Sequence, residues 1–506
     1  MSIKKRILFA LIPLAYLLLL LSQIDLSMLG DLGRHLKVGE VVVHCFCVPQ
    51  TNLFSYTNPA FPVVNHEWFA EVIFYLTSAW FGLRGLLVLK MLFIVTSAAL
   101  LYFVASKKGS IFWVTIFSIT AITIFSMRFF VLPELFSYVF ISLFIFFLER
   151  YKETKKTYWL WLLPFIELLW VNSHIYFILG IGIYGFFLLE EWVRRKKIEG
   201  RLLYTGIILI FSTLGNPSFI RGALLPFTFS TNYNFPVEEN ISPFKIFAAT
   251  STNGNMAYTL VLQVMVFELL LVLFFLCFFL KKQWGKPFHL GNGAMGAVLG
   301  MMFVRCISLF GLLGFIPLVQ SFTCVENRIK NGIDKSTMFM IKGVTIIVVS
   351  IIVGIHIKGL FDYKILGFGF VPSAENAVTF MEKTHIHGRI FNNYIIGNYL
   401  IYKLYPKEQV YIDARPEAYP ASFFNDYWRM LSDEQFFNQQ VGKYNINAVA
   451  FNVIADDPVK IRPFLLRLLR STDWVPVYSD GTVTIIVRNN ATNKDVIEKY
   501  KITIQK

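Results

Sequence analysis

Residues 258–280 read YTLVLQVMVFELLLVLFFLCFFL, a run with one charged side chain, Glu268, followed at once by Lys281 and Lys282. A helix that crosses a bilayer needs about 20 predominantly apolar residues, and this stretch supplies them. Leu86–Val104 meets the same requirement. The whole 506-residue chain shares the character: it is 56% hydrophobic and 17% aromatic, contains 52 phenylalanines, and is only 16% charged. A soluble domain carries about 25% charge, so one aqueous core cannot hide this many apolar side chains. The mean hydropathy of +0.57 agrees.

The formal charge of +15 does not point to nucleic acid. Much of the Lys and Arg falls in short clusters between apolar runs: Lys4-Lys5-Arg6, Lys107-Lys108, Lys152 to Lys156, Arg194 to Lys197 and Lys281-Lys282. Such clusters orient helices with their basic ends on the cytoplasmic side, and no basic recognition fold accompanies them. The first 22 residues have a basic start and an apolar run, but no small-x-small cleavage site precedes Gln23, so they read as a retained first helix. Five cysteines are too few and too scattered for a disulfide scaffold. Cys45 and Cys47 stand too close for an easy unstrained bridge and read as structural.

With the basic clusters on one side, about eleven helices follow: 7–22, 86–104, 111–127, 134–149, 159–171, 175–189, 202–214, 258–280, 289–304, 307–321 and 339–355. Long outer loops fall at 23–85 and 215–257, within a membrane domain of residues 1–355. Trp68–Phe81 is apolar but short, and reads as a helix lying along the outer leaflet. From residue 356 to 506 the composition becomes that of an ordinary soluble domain. Helices are expected at Ser373–Thr384, with Ser373 as N-cap, Ile395–Leu404, Asp433–Tyr444 and Pro458–Arg470. Strands are expected at Gly388–Phe391, Gln409–Ala414 and Asn447–Val453, with a hairpin over Trp474–Val487 turning at Asp480-Gly481. The fold class is an all-α polytopic membrane domain followed by a small α/β domain, which the odd helix count places outside the membrane.

The polar residues divide by side. Those on the inner side are mostly basic and loosely spaced. On the outer side they are mixed and lie against helix ends: Asp31, Arg34, His35, His66, Glu67, Arg128, Glu134, Asn172, His174 and Arg305. Ionisable groups at membrane depth are costly and are functional candidates by default, with helix capping and interfacial ion pairing as the plainer alternative. Asp31 stands within Gly30-Asp31-Leu32-Gly33-Arg34-His35. The flanking glycines let the backbone bend, and a carboxylate there suits acceptance of a hydroxyl proton; the alternative is an N-cap. Asp413 and Arg415 follow an expected strand, facing substrate or paired with each other.

Asp31-x-Gly33-x-His35-Leu36, followed by Gly39-Glu40, Phe54-Ser55-Tyr56-Thr57 and Asn65-His66-Glu67-Trp68, resembles a set of bacterial membrane proteins of the GT-C glycosyltransferase class. That class is related in architecture to protein mannosyltransferases and lipid A aminoarabinose transferases. Leu132 to Tyr138, Trp170 to His174, Gly215-Asn216-Pro217, Gly397 to Leu400 and Tyr411 to Tyr419 carry the likeness over nearly the whole chain. The resemblance implies a bacterial inner-membrane enzyme with a GT-C-like fold. It would move a sugar from a polyprenyl-phosphate donor to a hydroxyl of a glycan, glycolipid or protein on the outer face. It implies Asp31 as the catalytic carboxylate, with the departure that paired acidic residues are common there and Leu32 follows Asp31. Arg128 and Arg305 would neutralise the leaving phosphate. His66 and Glu67 would orient the acceptor or Asp31, and Asn172 and His174 would bind sugar hydroxyls, with a hydrogen-bonded helix cap as the alternative for His174. No cofactor is fixed by the sequence; a divalent cation on Asp31, His35, His66 and Glu67 is chemically consistent, although their spacing matches no metal motif. A lipid or glycan flippase is the competing reading, but the helix centres are nearly free of charge apart from Lys90, Glu167 and Glu268, and no internal repeat is visible. A membrane scaffold with an outer binding domain is the third.

Overall fold

The computed structural model describes residues 3–228, 238–245, 258–280, 287–330, 335–386, 388–454 and 458–503. About half of the expected loop at 215–257, and the cluster Lys281-Lys282, lie outside them. The chain forms two compact units: residues 1–24, 84–219 and 236–369 make one, and residues 25–83, 220–235 and 370–506 make the other.

The first unit is a helical bundle. Among the described residues, five helices are long and apolar enough to cross a membrane: Trp68–Ser106, Ile111–Arg128, Ile175–Arg195, Tyr258–Cys277 and Ser336–Asp362. Val304–Leu313 and Phe315–Arg328, bent by 50°, form a sixth span if taken together. Ile7–Leu21, Tyr158–Val171 and Gly200–Ser212 are apolar but shorter. The expected order of helices is therefore present, while among the described residues five or six spans, not eleven, meet the requirement by length and composition. The bundle's antiparallel course brings the basic clusters together. Lys107 pairs with Glu153 at 2.9 Å, Lys108 with Glu149, and Lys152 with Glu190; His289 lies 3.0 Å from Glu149. The turns at Ser126–Arg128, Ile175–Phe177 and Val304–Cys306 carry the polar residues of the opposite helix ends.

Trp68–Ser106 is 39 residues long, but its dihedral angles break at Gly82, where φ is +67°. The break falls beside the passage from one unit to the other, and it separates the Trp68–Phe81 segment from the helix expected at 86–104.

The second unit holds a four-stranded sheet, β1 (Arg389–Asn392), β2 (Ile446–Asn452), β3 (Trp474–Ser479) and β4 (Val483–Arg488), in the order β1-β2-β4-β3. β1 runs parallel to β2, and the other neighbours are antiparallel. Pro476 is accommodated on the edge strand β3, where a missing N–H costs no ladder bond. Asp480 Oδ1 accepts the N–H groups of Thr482 and Val483, which sets the hairpin turn. Helices Tyr394–Leu404, Ala421–Ser432, Glu434–Tyr444 and Pro458–Arg470 complete the layer, and Phe391, Tyr411, Tyr427, Phe437, Phe451 and Phe464 fill the core.

Four expectations are corrected here. Gln409–Ala414 is not a ladder strand: Val410 makes only isolated bridges to Ser55 and Ile390. The Asn392 side chain takes over the pairing, donating to Ile412 O at 2.7 Å and accepting from Tyr411 N at 2.8 Å. Ser373 is not the cap of its helix, which runs Glu375–Lys383 behind Ala374; the Glu375 carboxylate instead accepts from Ser373 N. Cys45 and Cys47 are joined by a disulfide at the end of the helix Leu32–Cys45. Finally, Ala421–Ser432, an amphipathic helix, occupies a stretch to which no element was assigned.

Leu32–Cys45 packs against the start of Trp68–Ser106 across Gly39, where an added Cβ would lie 2.1 Å from Glu71 O and 2.8 Å from Tyr75 Cβ. Gly39→Ala is expected to destabilise this unit by about 1–3 kcal/mol, seen as a lower thermal midpoint in detergent. Gly343→Ala, on a helix with open space at that point, is the neutral control.

Candidate functional site

Helical spacing places Asp31, Arg34 and His35 on one side of Leu32–Cys45. Asp31 has helical angles (φ −89°, ψ −17°) and its side chain caps nothing. Its Oδ1 instead accepts from Asn398 Nδ2 at 2.8 Å, with Arg34 Nη2 at 3.8 Å. Asn398 is fully buried, and its own Oδ1 accepts from Ala414 N at 3.2 Å, so its amide can face Asp31 only as a donor. Asp31 Oδ2 has no hydrogen bond among the described residues, and the side chain is 40% exposed. One oxygen is fixed and the other is open.

Glu67 and Glu71 stand one helical turn apart. Glu71 is buried and receives three groups: His35 Nδ1 at 2.9 Å and Arg34 Nη1 at 3.4 Å on Oε1, and Asn65 Nδ2 at 2.7 Å on Oε2. Asn65 Oδ1 in turn accepts from Glu67 N at 2.9 Å. Glu67 lies 3.8 Å from His35 Nδ1 and 3.6 Å from His66 Nε2. Burial raises the Glu67 carboxyl to about 7, against the pull of His35 and Arg34. Burial and the neighbouring Arg34 charge lower His35 to about 4. His35 is therefore neutral. Since Arg34 only donates, and its Nη2 lies 3.3 Å from His35 Nε2, that nitrogen accepts and the proton sits on Nδ1.

Asp413 and Arg415 form a closed pair in the same unit. Arg415 donates from Nε to Oδ1 at 2.7 Å and from Nη2 to Oδ2 at 2.8 Å, and Tyr419 OH donates to Oδ2 at 2.9 Å. Burial opposes ionisation of Asp413, but the guanidinium overcomes it and lowers the pKa. Arg415 also donates to Asn52 Oδ1 at 2.8 Å. A small cavity of about 30 Å3 is lined by Arg34, Asn65, His66, Glu67, Arg415 and Glu417. Burial raises the Glu417 carboxyl.

The helical unit holds a second cluster. Arg128 donates in a fork to Glu134, from Nε at 2.9 Å and Nη2 at 2.8 Å, and its Nη1 meets Glu239 at 2.7 Å. Tyr138 OH adds a third bond to Glu134. Arg305 is held more loosely: Nε is 3.3 Å from Tyr176 OH, Nη1 is 3.5 Å from Asn240, and Nη2 is 3.7 Å from Glu134. His174 packs edge-on against Tyr176 and lies 3.0 Å from Ser137 Oγ. Asn172 instead ties Leu168 O and Gly215 O, each at 2.8 Å.

The expected site residues thus divide between the two units: Asp31, Arg34, His35, His66, Glu67, Asp413 and Arg415 in one, and Arg128, Glu134, Asn172, His174 and Arg305 in the other. Sequence reasoning gave no role to Glu71, Asn398 or Glu417. Glu71 had a signal, a lone carboxylate four residues after Glu67 inside an apolar run.

No protein-family model matches the chain, and no curated protein matches it by sequence. Solved structures do match. The oligosaccharyltransferase AglB from Archaeoglobus fulgidus, in complex with an inhibitory peptide and a dolichol-phosphate, superposes with a TM-score of 0.60 at 10% identity, over 97% of this chain and 75% of that one. The Archaeoglobus fulgidus oligosaccharyltransferase in complex with Zn and sulfate gives 0.56 at 11% identity, over 94% and 73%. ArnT from Cupriavidus metallidurans bound to undecaprenyl phosphate gives 0.54 at 10% identity, over 97% and 99%. The chain has a GT-C-like fold and is a multi-pass membrane protein.

A carboxyl whose folded pKa lies above its unfolded value stabilises below the unfolded pKa, and that contribution is lost as pH rises through the folded one. For Glu67 the window runs from 4.5 to about 7. Glu67→Gln removes the loss, so the variant should gain thermal stability over the parent as pH rises from about 4.5 to about 7.5. Melting in detergent across that range checks it, and an unchanging difference would contradict a raised Glu67.

Proposed function

We propose that the chain is a membrane glycosyltransferase that moves a sugar from a polyprenyl-phosphate carrier to an acceptor hydroxyl with inversion at the anomeric carbon. The observation that carries this reading is the Asp31 carboxylate, with Oδ1 held by Asn398 and Oδ2 open. A general base needs one oxygen positioned and one available. The acceptor O–H gives its proton to Oδ2, the acceptor oxygen bonds to the anomeric carbon from the opposite face, and the carbon–oxygen bond to phosphate breaks. The phosphate leaves with the electron pair on the polyprenyl carrier. The named neighbours that carry dolichol-phosphate and undecaprenyl phosphate support this donor class.

For the phosphate the reading favours Arg305 over Arg128. Arg128 already spends its fork on Glu134 and its third nitrogen on Glu239. The contacts of Arg305 are long, and its side chain is 20% exposed, so its N–H groups are available to an anion. An apolar cavity of about 220 Å3 in the helical unit, lined by residues such as Pro13, Leu17, Ala98, Ile122 and Phe315, suits an isoprenoid tail. In this reading the membrane is the bacterial cytoplasmic membrane, the unit bearing Asp31 faces outward, and the acceptor is a glycan, glycolipid or protein.

Asp31→Asn keeps size and the bond to Asn398 acceptable in shape, but removes the basic oxygen. Transfer should fall about 10²–10⁴-fold with folding and donor binding retained. Purified variant turning over within a few-fold of the parent would reject Asp31 as the base. Arg305→Ala should weaken binding of polyprenyl phosphate with little loss of stability. Arg128→Ala should instead destabilise the fold, by about 3–5 kcal/mol, because Glu134 is left buried without its partner. Equilibrium binding of the lipid phosphate and thermal melting of both variants separate the two roles.

A further inference from the structure

His35, Glu67 and Glu71 have the donor set of a divalent metal centre: one imidazole nitrogen and two carboxylates, with ligand atoms all within 4.8 Å of one another. Distances alone admit an ion bonded at about 2.0–2.2 Å to each. The hydrogen bonds do not. A metal needs the lone pair of His35 Nδ1, the nitrogen 2.9 Å from Glu71 Oε1. The imidazole proton would then move to Nε2, where Arg34 Nη2 already points an N–H from 3.3 Å. Two donors would face each other in a buried site.

Metal-bound histidines turn their second N–H to an acceptor, a carboxylate or carbonyl. Here that position is held by a guanidinium, which has none to offer. Arg34 also fills the electrostatic role of an ion. It is 7% exposed, and its nitrogens lie 3.4 Å from Glu71 and 3.8 Å from Asp31.

We propose that Arg34 stands in place of a divalent cation in this site, excluding metal from His35, Glu67 and Glu71 and supplying the fixed positive charge beside Asp31. The role beside a catalytic Asp31 rests on the transferase reading; the exclusion of metal does not. The consequence for the chemistry is that sugar transfer proceeds in the presence of chelator, with the positive charge placed by the fold rather than by the supply of ions.

The test uses full-length protein in detergent, stripped with chelator and titrated with Co2+ by visible absorption and with Mn2+ by electron paramagnetic resonance. The parent should bind neither ion at stoichiometric concentration. Arg34→Met should gain one site, since Nε2 then loses its opposing donor and the carboxylates lose their counter-charge, and Arg34→Met with His35→Ala should lose it again. One equivalent bound by the parent and abolished by His35→Ala overturns the proposal, as does a folded Arg34→Met that binds no metal. If Arg34→Met does not fold, the parent and His35→Ala titrations decide alone. Transfer by the parent should be unchanged within two-fold by chelator, and loss of transfer that Mn2+ restores overturns it too. If the parent transfers no sugar under any condition, the transferase reading falls while the metal titrations still decide this proposal.

Discussion

The Arg34 guanidinium is almost wholly buried, and the surroundings of Asp31 follow from what is needed to keep it there. An ionised group removed from water needs opposite charge and hydrogen-bond partners, or it destabilises the fold by several kcal/mol; the Nη groups of Arg34 find both, while its Nε has no hydrogen bond among the described residues. Glu71 supplies the charge, and the lone pair of His35 Nε2 receives a further N–H. That requirement fixes the tautomer of His35, which in turn commits the Nδ1 proton to Glu71. Gly39 permits the close helix contact that brings Glu71 within reach.

The same constraint acts differently in the helical unit. Arg128 and Glu134 satisfy each other in a bidentate fork, with Tyr138 and Glu239 completing the set. Such a group is structural in effect, because any ligand must displace a partner. Arg305, next to it, has only long contacts. Two arginines that look alike in sequence thereby differ in their contacts, one with its N–H groups closely engaged and the other held only at longer range. Asp413 and Arg415 repeat the closed arrangement, sharing six bonds among themselves, Tyr419 and Asn52.

Much of the fold was legible because membrane helices and half-buried strands carry their pattern locally. The run at 258–280 and the helix Pro458–Arg470 stand where the sequence puts them. Asp433 caps its helix by accepting from Phe436 N. What failed were readings that needed a distant partner. The extended stretch 409–414 has strand-like composition, but Asn392, Phe54 and Tyr56 take its hydrogen bonds before a ladder forms. Of the first-loop cluster the sequence supplied Asp31, Arg34, His35, His66 and Glu67, and missed Glu71, Asn398 and Glu417.

By itself the sequence determined that this is a multi-pass membrane protein with a mixed α/β portion after it, because apolar runs of bilayer length and the return to ordinary composition are properties of contiguous residues. It also determined that polar side chains gather at helix ends, since charge is too costly at helix centres. Tertiary structure alone decided which of those groups are spent on one another. Asp31 reads as either a cap or a base in sequence; its side chain caps nothing, and a buried amide 367 residues away, oriented by the Ala414 N–H, holds one of its oxygens and leaves the other free. Hydrogen-bond directions of that kind depend on three-dimensional neighbours, and no local pattern encodes them.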